Sequence, residues 1–242
     1  MSYFTYNGRS SEEFKLHIES KNVFSAPEYD IEFQSIPGRN GDLIISNKRF
    51  SNVKISYTVF LARKTVSDLS KTLKEIKGWL YSEPDRYHKI TDSYDKNYIR
   101  YGVIHQNLEI EEQLNRVGVF TVTFNCKPFR YSLEGLSPVV IENGGKILNP
   151  ELFPSMPIIE IKGSGDFSLT VQNKDFNKTW SFKDIEKGVS CDSEQMNFYW
   201  ETELLNQKVT GKDFPVLNSG ENFISTIGNV EQITVTPKWC CL

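Results

Sequence analysis

The stretch Ile36-Pro37-Gly38-Arg39-Asn40-Gly41-Asp42-Leu43-Ile44-Ile45 decides how this chain of 242 residues is read. Asn-Gly is a strong signal for a two-residue hairpin turn, because both central positions need positive φ and these residues tolerate it. Pro37-Gly38 sets a second bend just before it, and Leu43-Ile44-Ile45 reads as an emerging strand. Arg39 and Asp42 flank the turn, so the tip presents one charge of each sign. Taken alone, the stretch is a hairpin with a polar tip.

Working outward, most of the first half repeats with a period of two. Val53, Ile55, Tyr57, Val59 and Leu61 alternate with Lys54, Ser56 and Thr58, and Phe120, Val122, Phe124 and Cys126 alternate with Thr121, Thr123 and Asn125. Such alternation gives a strand one dry face and one wet face. Phe14, Leu16 and Ile18 alternate in the same way and predict a further strand. Shorter strand signals lie at Ile99–Ile104 and Leu108–Glu112. One segment breaks the rule: Leu69, Leu73, Ile76 and Leu80 recur at helical spacing, which predicts a helix over 67–82. Ser67 or Thr65 suits its start, and Pro84 stops it.

After Cys126-Lys127-Pro128 the pattern lapses into Gly135, Pro138, Gly144, Gly145, Pro150, Pro154 and Pro157, where a domain boundary is expected. The division predicted is 1–134 and 135–242. From Ile158 the alternation resumes almost without helical periodicity. Gly163-Ser164-Gly165-Asp166 reads as a hairpin turn between Ile159–Ile161 and Phe167–Val171. Gly188, Gly211, Asn218-Ser219-Gly220 and Gly228-Asn229 punctuate the rest, predicting short strands of a sandwich or small barrel. The fold class expected is mainly β, in two domains.

Composition narrows the functional classes. A net charge of −3 lacks the basic footprint of a nucleic-acid binder. No secretory signal is visible, and no stretch approaches the roughly 20 apolar residues that span a bilayer. Cys126, Cys191, Cys240 and Cys241 show no zinc spacing, so free thiols in a reducing compartment are expected. His17, His88 and His105 are scattered, which gives no basis for a metal site or a catalytic triad. Asp92-Ser93-Tyr94-Asp95 and Glu109-Ile110-Glu111-Glu112 lack the calcium-loop pattern and read as solvated turns and strand faces. Gly163-Ser164-Gly165 lacks the third glycine of a dinucleotide fingerprint. Trp180, Trp200 and Trp239 have faces suited to stacking on sugars, although core packing is the commoner use of Trp. No nucleophile, base and oxyanion set can be assembled, so neither an enzyme nor a cofactor is expected.

An ordered set of motifs in the first half resembles the distal tail proteins of phages with long, flexible, non-contractile tails. It runs through Phe4-Thr5-Tyr6-Asn7-Gly8, the Ile36–Ile45 stretch, Trp79-Leu80-Tyr81-Ser82, Tyr87-His88-Lys89-Ile90, Leu114-Asn115-Arg116-Val117-Gly118, and Phe120 to Pro128. Looser matches follow at Asn149-Pro150, Phe153-Pro154, Pro157-Ile158-Ile159, Gly163 to Asp166, Phe214-Pro215-Val216-Leu217, Gly220-Glu221-Asn222, Ile233 and Pro237-Lys238-Trp239.

The resemblance implies an N-terminal β-sandwich-like domain with one helix and a hairpin, associating into a hexameric ring. It also implies a C-terminal β-sandwich similar to galectins and carbohydrate-binding modules. The implied partners are further copies of the chain, the major tail tube protein, the tail-tip hub and a receptor-binding protein, in the virion at the distal end of the tail. No sequence-specific nucleic-acid binding and no membrane insertion are expected. Galectin-type sugar sites use a His, and the C-terminal half contains none. Three functional classes are therefore weighed in order: a structural ring component, a carbohydrate-binding module that aids adhesion to the host wall, and a tail-associated hydrolase.

A closed ring needs two different patches on each protomer. The residues expected on one of them are Arg39, Asn40 and Asp42, joined by Tyr87, Tyr94, Asp95 and Tyr98 from the Tyr-rich stretch 85–113, since Tyr and Arg are favoured at interfaces. The competing reading is that the hairpin tip merely faces solvent.

Overall fold

A computed structural model describes residues 2–113 and 116–242, so Leu114 and Asn115 of the Leu114–Gly118 motif lie outside the described residues. The chain is mainly β and divides into two compact units, Met1–Arg130 with Leu242, and Tyr131–Cys241. The sequence places the division at 134/135, four residues later than the 130/131 of the structure. Residues 131–134 sit with the second unit because Ser132 N donates to Trp239 O at 2.9 Å, and Ser132 Oγ accepts from Gly135 N at 3.0 Å.

The first unit contains β1 (Phe4–Tyr6), β2 (Arg9–Ser10), β3 (His17–Lys21), β4 (Tyr29–Gln34), β5 (Leu43–Phe50), β6 (Val53–Ala62), α1 (Val66–Leu80), β7 (His88–Asp92), β8 (Tyr98–Val103), β9 (Ile110–Gln113) and β10 (Val117–Cys126). The main sheet runs β2-β1-β7-β8-β10-β6-β3, with β9 added on β10. Neighbouring strands lie about 4.8 Å apart, so β1 and β6, four places apart in a flat sheet, would be roughly 19 Å from each other. Yet the Phe4 and Tyr57 rings stack with centroids 4.6 Å apart, and Tyr57 Oη donates to Asp92 Oδ2 at 2.8 Å. The sheet therefore folds over on itself into a sandwich-like pair of layers.

The corner of that fold is the β8–β10 seam, where only Val103 and Gly102 find partners, in Asn125 and Cys126. Gly102 is what lets the layers close there: a Cβ would come within 2.7 Å of Ile90 Cδ1 and 2.8 Å of Cys126 Sγ. Helix α1 covers the sheet with Leu69, Ile76, Trp79 and Leu80. Thr65 caps it by accepting from Asp68 N at 3.1 Å, the better of the two capping alternatives. The helix stops at Leu80, two residues short of the expected end.

Phe14 belongs to a 3-10 turn over Ser11–Phe14 instead of a strand. A capping box explains the correction: Ser10 Oγ accepts from Glu12 N, the Glu13 carboxylate accepts from Ser10 N, and Lys15 then leaves the turn at φ 54°. Phe14 and Leu16 are still buried, so the apolar pattern reported the core correctly and the backbone wrongly.

Strand β11 (Arg130–Ser132) spans the division, and the second unit contains β12 (Val139–Ile141), β13 (Gly145–Asn149), β14 (Ile158–Gln172), β15 (Asn177–Ile185), β16 (Gly188–Asp192), β17 (Asn197–Trp200), β18 (Glu203–Leu204), β19 (Val209–Thr210), β20 (Gly220–Thr236) and β21 (Cys240–Cys241). The expected hairpin at Gly163–Asp166 is absent. Instead β14 runs straight through it as one 15-residue strand, paired with β16 before the glycines and with β15 after them. The antiparallel partner β20 follows it along both halves, and the register shifts at Gly163.

The reason is crowding between the two bent strands. A Cβ at Gly163 would lie 2.5 Å from Asn229 O, and Gly228, at φ 118°, faces Phe167 in the same bulge. Gly163 and Gly228 mark a bend shared by two long strands, which carries each of them from one layer to the other. One layer is thus β12-β20-β14-β16-β17-β18, and the other is β13-β20-β14-β15-β19. Phe182 on β15 meets Phe198 on β17 with centroids 5.8 Å apart, so the layers enclose one core.

Candidate assembly surface

Strands β4 and β5 form a two-stranded sheet of their own, paired from Gln34–Leu43 at the tip to Tyr29–Phe50 at the base. Residues 35–42 make the connection, so the two-residue Asn-Gly turn is a correction. The hydrogen-bonded turn is Ile36–Arg39, in which Arg39 N donates to Ile36 O at 3.2 Å and Gly38 sits at φ 79°. Proline in its second position with glycine in its third is the chemistry of a type II turn. Asn40-Gly41 forms a separate bend, with Gly41 at φ 81°.

The base of the hairpin is pinned. Asp30 accepts from Asn47 Nδ2 at 2.9 Å and from Arg49 Nε at 2.6 Å, and these two bonds hold its carboxyl below the usual range. The Tyr29 and Phe50 rings meet edge-on, and Phe50 in turn meets Phe129. Among the described residues, no third strand joins the hairpin beyond that base. Phe33 and Ile44, a cross-strand pair on one face, are 64% and 60% exposed. Leu43 and Ile45 on the other face are exposed too. An isolated two-stranded ribbon is marginal in water, and unpaired edges with exposed apolar side chains mark a surface that associates.

Arg39, Asn40 and Asp42 all lie exposed in the connection at the tip. The second group of expected residues is differently employed. Tyr87 is 42% exposed and accepts from Asn52 Nδ2 at 2.7 Å. Tyr94 is half-buried, packs against the core of the first unit and carries the Lys21 ammonium over its ring. Asp95 accepts from Arg130 Nη1 at 2.5 Å, and Arg130 also lies over the Tyr98 ring at 5.1 Å. Asp92 organises this loop by accepting from the backbone N–H groups of Tyr94 and Asp95. Tyr94, Asp95 and Tyr98 thus build a loop against their own unit, while the tip residues have their side chains in solvent.

The reading of the sequence missed the flanks of the hairpin. Leu43-Ile44-Ile45 and Phe33 carry a signal that was visible, a β-rich apolar run, but such a run looks the same whether a core or a partner covers it. Among the described residues, no group of three or more His, Cys, Asp or Glu side chains is placed to hold a metal ion.

Residues 9–126 match the family of the phage tail protein RIFT-related domain. No curated protein matches the chain in sequence. Among solved structures, the Dit protein of phage SPP1, described as a paradigm of the hub adsorption apparatus in phages that infect Gram-positive bacteria, superposes with a TM-score of 0.76 at 13% identity, over 97% of both chains. Two structures of the phage p2 baseplate in its activated conformation, with Ca and with Sr, give TM-scores of 0.51 and 0.52 at 9% identity, also over 97% of both chains. Residues 9–126 are thus similar to the phage tail protein RIFT-related domain, and along nearly its whole length the chain has the fold of a siphophage distal tail protein.

Proposed function

We propose that the chain is a structural component of the distal tail, part of the adsorption apparatus, whose first units associate into a closed ring of six. In that position the ring joins the tail tube to the tail-tip hub. The observation that carries the reading is the β4–β5 ribbon, with Phe33 and Ile44 exposed, both outer edges unpaired, and a charged tip at Arg39 and Asp42. A ring closes by a heterologous contact, so the ribbon meets a different patch on the next copy. The chain is assigned a structural role because the solved structures that share its fold are described as parts of a hub and a baseplate.

Two sets of variants test this. Phe33→Ser with Ile44→Ser removes the apolar face, and Arg39→Glu and Asp42→Arg reverse the tip charges one at a time. Native mass spectrometry of the purified protein, with complementation of tail assembly as a second readout, should show each variant impaired in ring formation at an unchanged melting temperature. Normal rings and tails from all three would overturn the assignment of the hairpin as the contact.

A further inference from the structure

Three Asn-Gly pairs occur in the chain, Asn7-Gly8, Asn40-Gly41 and Asn143-Gly144, and the fold holds each of them differently. The side-chain amide of an asparagine is open to attack by the backbone nitrogen of the next residue. Glycine in that place leaves the nitrogen unshielded, because it has no Cβ, and leaves the backbone free to turn. Attack needs two freedoms: the amide must swing toward the nitrogen, and the backbone between them must rotate.

At Asn143 both freedoms are gone. Its Nδ2 donates to Thr226 O at 2.9 Å, its Oδ1 accepts from Thr226 N at 2.7 Å, and Gly144 N donates to Ile224 O at 2.9 Å. At Asn7 the backbone is fixed. Asn7 at φ 47° and Gly8 at φ 76° make the two-residue turn between β1 and β2, closed by the pairing of Tyr6 with Arg9. Asn7 N also donates to Lys89 O at 3.4 Å. At Asn40 neither freedom is lost. Asn40 and Gly41 are exposed in the connection at the tip of the β4–β5 ribbon. Among the described residues, no hydrogen bond holds the Asn40 amide or the Gly41 N–H, and a Cβ at Gly41 would meet nothing.

We propose that Asn40 is a spontaneous modification site, at which the free chain exchanges its side-chain amide for a carboxylate. Gly41 N loses its proton to solvent base and bonds to Asn40 Cγ. The Cγ–Nδ2 bond breaks, and the amide leaves as ammonia with a proton returned from solvent. The cyclic succinimide then takes up water at one carbonyl or the other and opens to aspartate or isoaspartate. Nothing is oxidised or reduced. Either product adds a negative charge beside Arg39 and Asp42, and isoaspartate also lengthens the main chain by a methylene group. The effect on assembly rests on the reading of the hairpin as the ring contact. A tip altered beforehand no longer fits the next copy, whereas a tip covered in a ring is held and shielded.

The test is site-resolved peptide mapping of the purified full chain during storage in warm, mildly alkaline buffer, with fragmentation that separates isoaspartate from aspartate. Asn40 is expected to convert first. Asn143 should follow at least about tenfold more slowly, because its ladder must open before the amide can move. The thermal melt should stay unchanged while Asn40 converts. No conversion at Asn40, or conversion of Asn7 or Asn143 as fast as Asn40, overturns the proposal. Native mass spectrometry of the stored protein supplies the second readout: isoaspartate at position 40 should be enriched in free chain and scarce in rings. Equal levels in the two overturn the effect on assembly. A chain that forms no rings, fresh or stored, overturns the ring reading alone, and the order of the three sites still decides the assignment of Asn40.

Discussion

Gly102 and Gly78 show how much the same residue can differ in what it does. At Gly102 a methyl group would meet Ile90 Cδ1 and Cys126 Sγ below 3 Å, inside a corner where two layers close. Gly102→Ala should therefore destabilise the first unit by about 1–3 kcal/mol, as overpacking does. Gly78 lies within α1 with nothing near its Cβ position, so Gly78→Ala should stabilise by about 0.5–1 kcal/mol through the helix preference of alanine. Urea denaturation of the two variants checks the opposite signs.

Buried thiols set a second expectation at this scale. Burial pushes Cys126, Cys191 and Cys240 from an ordinary 9 up to about 12. A pKa raised in the folded state means that above pH 9 the unfolded chain gives up protons that the folded chain keeps. The stability these groups contribute is then complete below pH 9 and is lost as pH rises toward 12. Each fully shifted thiol steepens the fall by up to about 1.4 kcal/mol per pH unit. Urea midpoints measured from pH 8 to 11 should fall, and Cys191→Ala should fall less steeply than the parent chain.

At the scale of elements, what the sequence revealed and what it concealed divide along one physical line. Where an apolar pattern belongs to a single regular element, it was legible: Val53–Leu61, Phe120–Cys126 and the stripe of α1 lie where their periodicity puts them. Turn chemistry was legible only as a bend. The glycines at 163 and 165 bend a strand within its ladder, and a bulge and a hairpin share their local requirement for missing side chains and positive φ. Only the partner strand, whose Gly228-Asn229 lies where the register shifts, separates the two. The same limit applies to the ribbon, since Ile44 and Phe33 carry no mark of what will cover them.

A prediction follows from the bulge. Gly163→Ala places a methyl group 2.5 Å from a backbone oxygen that belongs to the facing strand, and a backbone atom yields less readily than the end of a side chain. A loss of about 2–3 kcal/mol is expected in the second unit, with the first untouched. Hydrogen exchange resolved by unit would show it. Equal losses in both units would mean that the bend is not local to β14 and β20.

The whole molecule holds two separate apolar clusters that share no residue, one centred on Tyr57, Trp79 and Phe124, the other on Leu169, Trp180 and Phe198. Each unit exceeds a hundred residues, a size at which a domain buries about two thirds of the surface its unfolded chain exposes and can stand alone. The second unit also closes its own ends: Ser132 N reaches Trp239 O, and Lys238 N donates to Gly135 O at 2.6 Å, joining its first and last segments. Lys238 adds a buried ion pair to Asp192 at 3.5 Å and one to Glu194 at 3.2 Å. Residues 131–242 expressed alone should therefore fold, melt cooperatively and keep Trp180 and Trp239 inaccessible to acrylamide. The full chain should melt with a calorimetric enthalpy larger than the van't Hoff value, because two cooperative units cannot satisfy a two-state description. A fragment without a cooperative melt, or a full chain whose two enthalpies agree, would show that the second unit takes its stability from residues outside it.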